Sequence, residues 1–411
     1  MKRLKCVADR TQSTAFTKKE SGSGKKLRSG TSTSVNLTGA NPQYYAATPR
    51  VMLQKLNADT ANSAHINKFM QINDAFLESI GKGHYPGFLE TDFKLFGQAA
   101  LLYRNLTQQL VDQLSEYSKT AAPKKATVID GKNGAGKSAE LMKLASIASS
   151  LGHIVIYAHS TLPWVNSSRP YAPANEGDLY VQHELTMELL RTVLFLSKDA
   201  LKKVTLGKSV ALGKKSLAAD KSLADLVEFG IHTPSLSHDA LEHLLSIAST
   251  QTQVPVLIAL DNINTLWCNT LYRDQEDVVL PANRLRLIRA FLPFFEGKSA
   301  LAKGWVVGAT SYIDTRFMPK DLRLRLNPPV MVPLTNPDVA SDPTVKRPST
   351  HVPFDVMKID RMTATEAWAL MTFYQKTSII STPVTDALVA QKYVVADGNP
   401  RQIFGSVTSY F

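Results

Sequence analysis

The chain has 411 residues, 44% of them hydrophobic, a formal net charge of +12, and two cysteines, Cys6 and Cys268. That length predicts two or three domains with a sizeable core. It excludes a disulfide framework and a Cys-x-x-Cys metal site, and the longest apolar run, 254–260, is strand-sized and far too short to span a bilayer.

Residues 1–50 are rich in Lys, Ser, Thr and Gly and hold ten Lys/Arg against two acids, Asp9 and Glu20. A basic, low-complexity extension of this kind does not fold alone. Its charge suits RNA or DNA phosphates. The same composition suits a solvated tail or a mitochondrial targeting segment, with Lys2, Arg3, Lys5 and Arg10 early in the chain. Residues 51–122 read as a helical N-terminal region. Phe93, Phe96, Leu101, Leu102, Leu106, Leu110 and Leu114 recur near helical spacing across 92–118. Arg104, within that run, reads as a surface or capping arginine.

From residue 123 the chain alternates short apolar strands with helices, the pattern of a parallel sheet with crossover helices. Strands are expected at 126–130, 153–158, 255–260 and 304–309. Helices are expected at 138–149, 178–196, 237–249 and 284–296, the last bearing Arg284, Arg286 and Arg289. Between them, 202–221 carries six lysines and one acid, Asp220, and reads as a low-complexity insertion. It is either a solvated loop or a second basic contact to a phosphate backbone. Residues 312–355 are proline-rich and read as a long surface excursion. This nucleotide-binding region extends over 123–345. A short strand near 354–359 and helices at 364–377 and 384–393 follow, with a last helical turn after Gly398-Asn399-Pro400-Arg401. They make residues 346–411 a small helical lid.

The organising motif is Gly131, four residues, Gly136, Lys137, Ser138, after one expected strand and before a helix. This is a phosphate-binding loop pattern. Gly131, Gly134 and Gly136 let backbone N–H groups approach an anion closely. Lys137 reaches β- and γ-phosphates, and the Ser138 hydroxyl can ligate Mg²⁺. The strand at 255–260 ends in Asp261, placed to hold the same metal. Asn262 follows where many ATPases place a general-base Glu, so turnover is expected to be slow or absent. Glu184 and Asp314 could stand in as a base, but no spacing positions them. Thr310, at the end of the 304–309 strand, is either a γ-phosphate sensor or a plain polar strand end. Arg316, Arg323 and Arg325 are weaker candidates for a phosphate contact.

The runs GKNGAGKS, HIVIYAHSTLPWVNSS, LIALDNIN, LPFFEGKSALAKGWVVGATS and GNPRQIF resemble the death-associated protein 3 family over about residues 90–411. These are GTP-binding proteins of the mitochondrial ribosomal small subunit. The resemblance implies an AAA+-like P-loop NTPase fold and a bound guanine nucleotide, GTP or GDP, with Mg²⁺. It also implies a mitochondrial matrix location, in the ribosome, against small-subunit rRNA and neighbouring ribosomal proteins. It assigns Gly131, Lys132, Asn133, Gly134, Ala135, Gly136, Lys137, Ser138 and Ala139 to the phosphates. Ser138 and Asp261 go to the metal, and Arg401 is the lid arginine. An active NTPase whose turnover drives a lid motion is the competing expectation, and a free nucleic-acid-binding adaptor is a third.

Overall fold

The computed structural model describes residues 50–81, 85–86, 88–174, 178–327 and 352–408, all within one compact unit, 43–411. The basic extension, Arg50 excepted, and residues 328–351 of the proline-rich excursion lie outside the described residues.

The N-terminal region is not purely helical. β1 (Lys55–Leu56), β2 (Lys68–Ile72) and β3 (Ala100–Tyr103) form a three-stranded sheet. Around it lie α1 (Asp74–Ile80), α2 (Leu89–Phe96) and α3 (Asn105–Lys119). The helical spacing expected over 92–118 breaks at Gly97, which caps α2 in the left-handed conformation with φ +66°. The four residues of β3 are all buried, a pattern a short strand and a helix turn share. Tertiary pairing with β2 decides it.

The main sheet is parallel throughout, in the order β14 (Asp355–Lys358), β4 (Thr127–Asp130), β13 (Gly304–Ala309), β10 (Val256–Asp261), β5 (Ile154–Ala158). β5, β10 and β13 are buried at every residue because both faces are covered. Alternate residues serve two cores. Val128, Ile156, Ile258, Leu260 and Val306 face one, with Leu244, Ile288 and Phe291. Ile129, Tyr157, Leu257, Trp305 and Val307 face the other, with Leu141, Leu144 and the small N-terminal sheet.

The helices of this unit are α4 (Lys137–Ser150), α5 (His183–Lys202), α6 (Leu223–His232), α7 (Ser237–Thr250), α8 (Arg286–Phe295) and α9 (Lys320–Leu326). α5 runs past its expected end through a kink at Ser197, whose hydroxyl accepts the Val155 N–H at 2.7 Å. Sequence reading missed α6, although Ser222 and Asp225 make a capping box at its start. It also missed α9, inside the expected excursion. A two-residue pairing, β6 (Ala172–Pro173) with β7 (Tyr180–Val181), closes the proline-bearing loop after β5.

The lysine insertion is not low-complexity loop. It folds as a hairpin, β8 (Val210–Leu212) and β9 (Lys215–Leu217), which buries Val204, Leu206, Val210 and Leu212. All six lysines remain on its exposed surface. A second hairpin, β11 (Asn269–Arg273) and β12 (Val279–Pro281), follows β10.

The C-terminal region is not a separate lid either. Its first element, β14, is an edge strand of the main sheet, with Lys358 opposite Asp130. Then come α10 (Ala364–Lys376), α11 (Asp386–Val395) and α12 (Pro400–Thr408), which pack against the N-terminal sheet and the glycine loop.

Candidate functional site

The glycine loop links β4 to α4 at the carboxyl edge of the sheet, where open α/β folds place ligands. Gly134 and Gly136 hold φ of +80° and +102°. A Cβ on Gly134 would stand 2.6 Å from Arg401 Cβ and 2.8 Å from Asn399 Oδ1. Only glycine fits there, because the C-terminal segment closes directly over the loop. Asn399 fastens that closure by donating its Nδ2 to the Asn133 carbonyl at 2.7 Å.

Lys137 opens α4 and is 6% exposed. Its Nζ donates to the carbonyls of Gly131 at 2.6 Å and Lys132 at 3.0 Å. Burial pushes its ammonium below the ordinary lysine range, against the pull of Asp130 and Asp261. Asp261 is buried at the end of β10. Burial lifts its carboxyl to about 6, opposed by the Ser138 hydroxyl, the Asn262 N–H and Lys137. The Asn262 N–H reaches Asp261 Oδ1 at 2.9 Å. Asn262 itself sits in the left-handed region, with its amide donating to Ser160 Oγ at 2.9 Å.

The Thr310 hydroxyl is committed. It donates to Asp130 Oδ1 at 2.5 Å, and the Tyr312 hydroxyl donates to the same oxygen at 2.9 Å. Lys358 pairs with the other Asp130 oxygen from β14. Burial would raise the Asp130 carboxyl, but these three partners carry it below the ordinary range. Thr310 therefore buttresses the end of β4 while still lining the cavity.

That cavity has a volume of about 550 Å³. Asn133, Gly134, Ala135, Gly136, Lys137, Ser138 and Ala139 line one wall, with Thr310 and Ser311 beside them. Phe69, Phe96, Leu101, Leu370, Tyr374 and Phe404 line the apolar end. Arg401 borders the mouth, its guanidinium 3.5 Å above the Phe88 ring. Gly131 and Lys132 contribute carbonyls to Lys137 rather than wall, and Lys132 Nζ turns outward to Asp397 at 2.9 Å. Glu184 is exposed, Asp314 is occupied by Arg316, and Arg323 and Arg325 are exposed on α9. None of the five lines the cavity.

Arg104 is the principal correction. It does stand at the N-cap of α3, but it is 8% exposed, not on the surface. Its Nε and Nη2 donate to the two oxygens of Glu366 at 3.1 and 3.2 Å, and its Nη1 donates to the Ala135 carbonyl at 3.2 Å. Beside it, Lys143 Nζ donates to Glu140 Oε1 at 2.9 Å and to Thr107 Oγ1 and the Leu102 carbonyl, each at 2.7 Å. Thr107 donates to Glu140 Oε2 at 2.7 Å. Two buried cations and two buried carboxylates thus tie α3, α4 and α10 together behind the loop. Short-range pattern gives no sign of a pair 262 positions apart.

The residues present fit a nucleoside phosphate with a divalent cation. The loop offers a glycine-shaped cradle that a Cβ would fill. Asp261 is a buried carboxylate held by few donors, beside a serine hydroxyl.

The fold and this edge place the chain among α/β proteins with an open parallel sheet and a Gly-Lys-Ser loop at its carboxyl side. Its family is more particular. A model of the mitochondrial ribosomal death-associated protein 3 family matches residues 101–406, and the chain belongs to that family. The small ribosomal subunit protein mS29 of Schizosaccharomyces pombe is 27% identical over 323 residues, covering 77% of this chain and 66% of that protein. The Bos taurus protein of the same name is 21% identical over 246 residues, covering 58% and 62%. The Mus musculus protein is 20% identical over 321 residues, covering 72% and 80%. The match thus spans just under two thirds of the fission yeast and bovine relatives.

Proposed function

We propose that this chain is a structural constituent of the mitochondrial small ribosomal subunit, in the matrix, and that it holds a guanine nucleotide with Mg²⁺ as a folding and docking element. Family membership and the relatives' printed names support the ribosomal place. The observation that carries the nucleotide reading is that Lys137 and Ser138 meet at one wall of the cavity, with the buried Asp261 held by the Ser138 hydroxyl and facing the Lys137 charge. The strand order, with the loop strand flanked by β13 and β14 and the Asp261 strand one place further, supports reading the fold as an AAA+-like P-loop NTPase.

In this reading loop N–H groups and the start of α4 receive the phosphates. Lys137 leaves its two loop carbonyls for phosphate oxygens. Ser138 and Asp261 supply the metal's protein ligands, and the metal would neutralise phosphate charge. Arg401 covers the site from α12. Among the described residues no carboxylate beside the loop is free to activate a water. Asn262 cannot take a proton, and the remaining cavity-wall acid near the loop, Glu140, has both oxygens engaged. The nucleotide therefore stays, and stabilises the fold by mass action. The exposed lysines of the β8–β9 hairpin supply rRNA phosphate contacts that position rather than specify.

Gradient sedimentation of mitochondrial lysate at moderate salt tests the assembly. The protein should travel with the small subunit. A protein found only in light fractions would overturn the ribosomal reading.

A further inference from the structure

Helix α2 presents a single face to the apolar end of the cavity. Phe88, Asp92 and Phe96 follow one another at four-residue intervals, so they stack along one side of the helix. All three line the cavity. The Asp92 N–H bonds to the Phe88 carbonyl at 3.0 Å, which fixes the turn that aligns them. Phe93, on the adjacent face, is buried and anchors the helix.

Only two carboxylates line this cavity among the described residues, Asp92 and Glu140. Glu140 is 1% exposed and has both oxygens bonded to Thr107 and Lys143. Asp92 has no hydrogen-bond donor or ion-pair partner among the described residues. Arg401, whose charge acts on Asp92, stands over the Phe88 ring rather than in an ion pair with that carboxylate. Partial burial lifts the Asp92 carboxyl to about 6, with Arg401 pulling it back. At neutral pH, above that value, it is a half-buried, chiefly ionised acceptor with no bonded donor among the described residues, at the apolar end of the cavity.

That arrangement selects among purine rings. Guanine presents two adjacent donors, N1–H and the C2 amino group, which match the two oxygens of a carboxylate. Adenine presents an acceptor at N1 and would leave the carboxylate facing a lone pair. Among aromatic walls the stacking itself is indifferent to the base.

We propose that Asp92 is the base-reading residue of the nucleotide site, accepting N1–H and the C2 amino group of guanine on the cavity wall it shares with Phe88 and Phe96. This rests on the nucleotide reading above and supplies, from the chain's own residues, a reason for guanine. A site built to satisfy two donors rejects a ring that lacks them, because the half-buried acceptor is then left unpaired.

The test uses the full chain, titrated with fluorescently labelled GDP, ADP and xanthosine diphosphate. The unaltered protein should bind GDP at least about 100-fold more tightly than ADP. Asp92→Asn should lose GDP by about 100-fold and gain xanthosine diphosphate. The new amide keeps an acceptor for N1–H and donates to the C2 oxygen that xanthine carries. A gain of binding cannot come from misfolding. Equal binding of GDP and ADP by the unaltered protein, or unchanged GDP affinity in Asp92→Asn, would overturn the base-reading role and leave nucleotide binding standing. Failure of the unaltered protein to bind any of the three would overturn both.

Discussion

Arg104→Met removes the cation from a nearly dry ion pair. The side chains of Arg104 and Glu366 are 9% and 5% exposed, and their two bonds are 3.1 and 3.2 Å long. The Glu366 carboxylate would be left with the Thr363 N–H at 2.9 Å, the capping bond that starts α10. An unpaired buried charge costs about 3–5 kcal/mol, and the surviving cap bond sets the expectation near 3 kcal/mol. Most of this is the cost of the stranded charge, not the worth of the pair. Arg104→Met with Glu366→Gln keeps the cap and removes the charge. It should therefore recover about 2 kcal/mol of the loss. Denaturant unfolding of the three proteins measures both numbers. Both variants also lose the Arg104 bond to the Ala135 carbonyl, so both should release nucleotide faster. The reasoning is refuted if the single substitution costs less than about 1 kcal/mol, or if the double variant is no more stable than the single one.

Three further outcomes follow from the same geometry. Asp261, lifted to about 6, takes up a proton on folding, so without ligand stability should rise as pH falls from 6 toward 4, while Mg²⁺-dependent nucleotide retention weakens over the same range. Titrations with and without Mg²⁺ at several pH values check this, and Asp261→Asn should abolish the Mg²⁺ dependence without destabilising the empty protein. Gly134→Ala forces a Cβ onto Arg401 and Asn399 at φ +80°, so it should cost about 1–3 kcal/mol and loosen the C-terminal segment, read as proteolytic cleavage near residue 399. Replacing Lys208, Lys214 and Lys215 by Gln should leave the melting temperature unchanged, because all three are exposed, and lower the salt slope of RNA binding by up to about 2.

The local and the long-range were unequally legible. The strands at 126–130, 153–158, 255–260 and 304–309 stand within a residue or two of their expected bounds, because a strand buried on both faces is written as a continuous apolar run. The glycine loop was legible for a different reason: its backbone demands glycine at fixed offsets. Leu101 and Leu102 misled because four buried residues fit either period, and the decision between them belongs to their partners on β2, Met70 and Phe69, far back in the chain. The lysine insertion misled through composition. Lys208, Lys214 and Lys215 outweigh the buried Val210 and Leu212 in any average, yet a hairpin needs only alternate apolar residues. Arg104, Glu366, Asp130 and Lys358 were invisible as a set, since each finds its partner across the whole fold. Asp92 was passed over immediately before Phe93, because its meaning comes from the cavity wall it joins.

The central claim is that the loop at 131–138 grips a guanine nucleotide that serves the structure and is scarcely turned over. The most direct measurement is the nucleotide content of the purified chain, followed over hours at 25 °C alongside its melting temperature. The account predicts close to one guanine nucleotide per chain, turnover far below one per minute, and a melting temperature that drops when Lys137→Ala empties the site. Several turnovers per second abolished by Asp261→Ala, or an unchanged melting temperature in the empty Lys137→Ala protein, would contradict it.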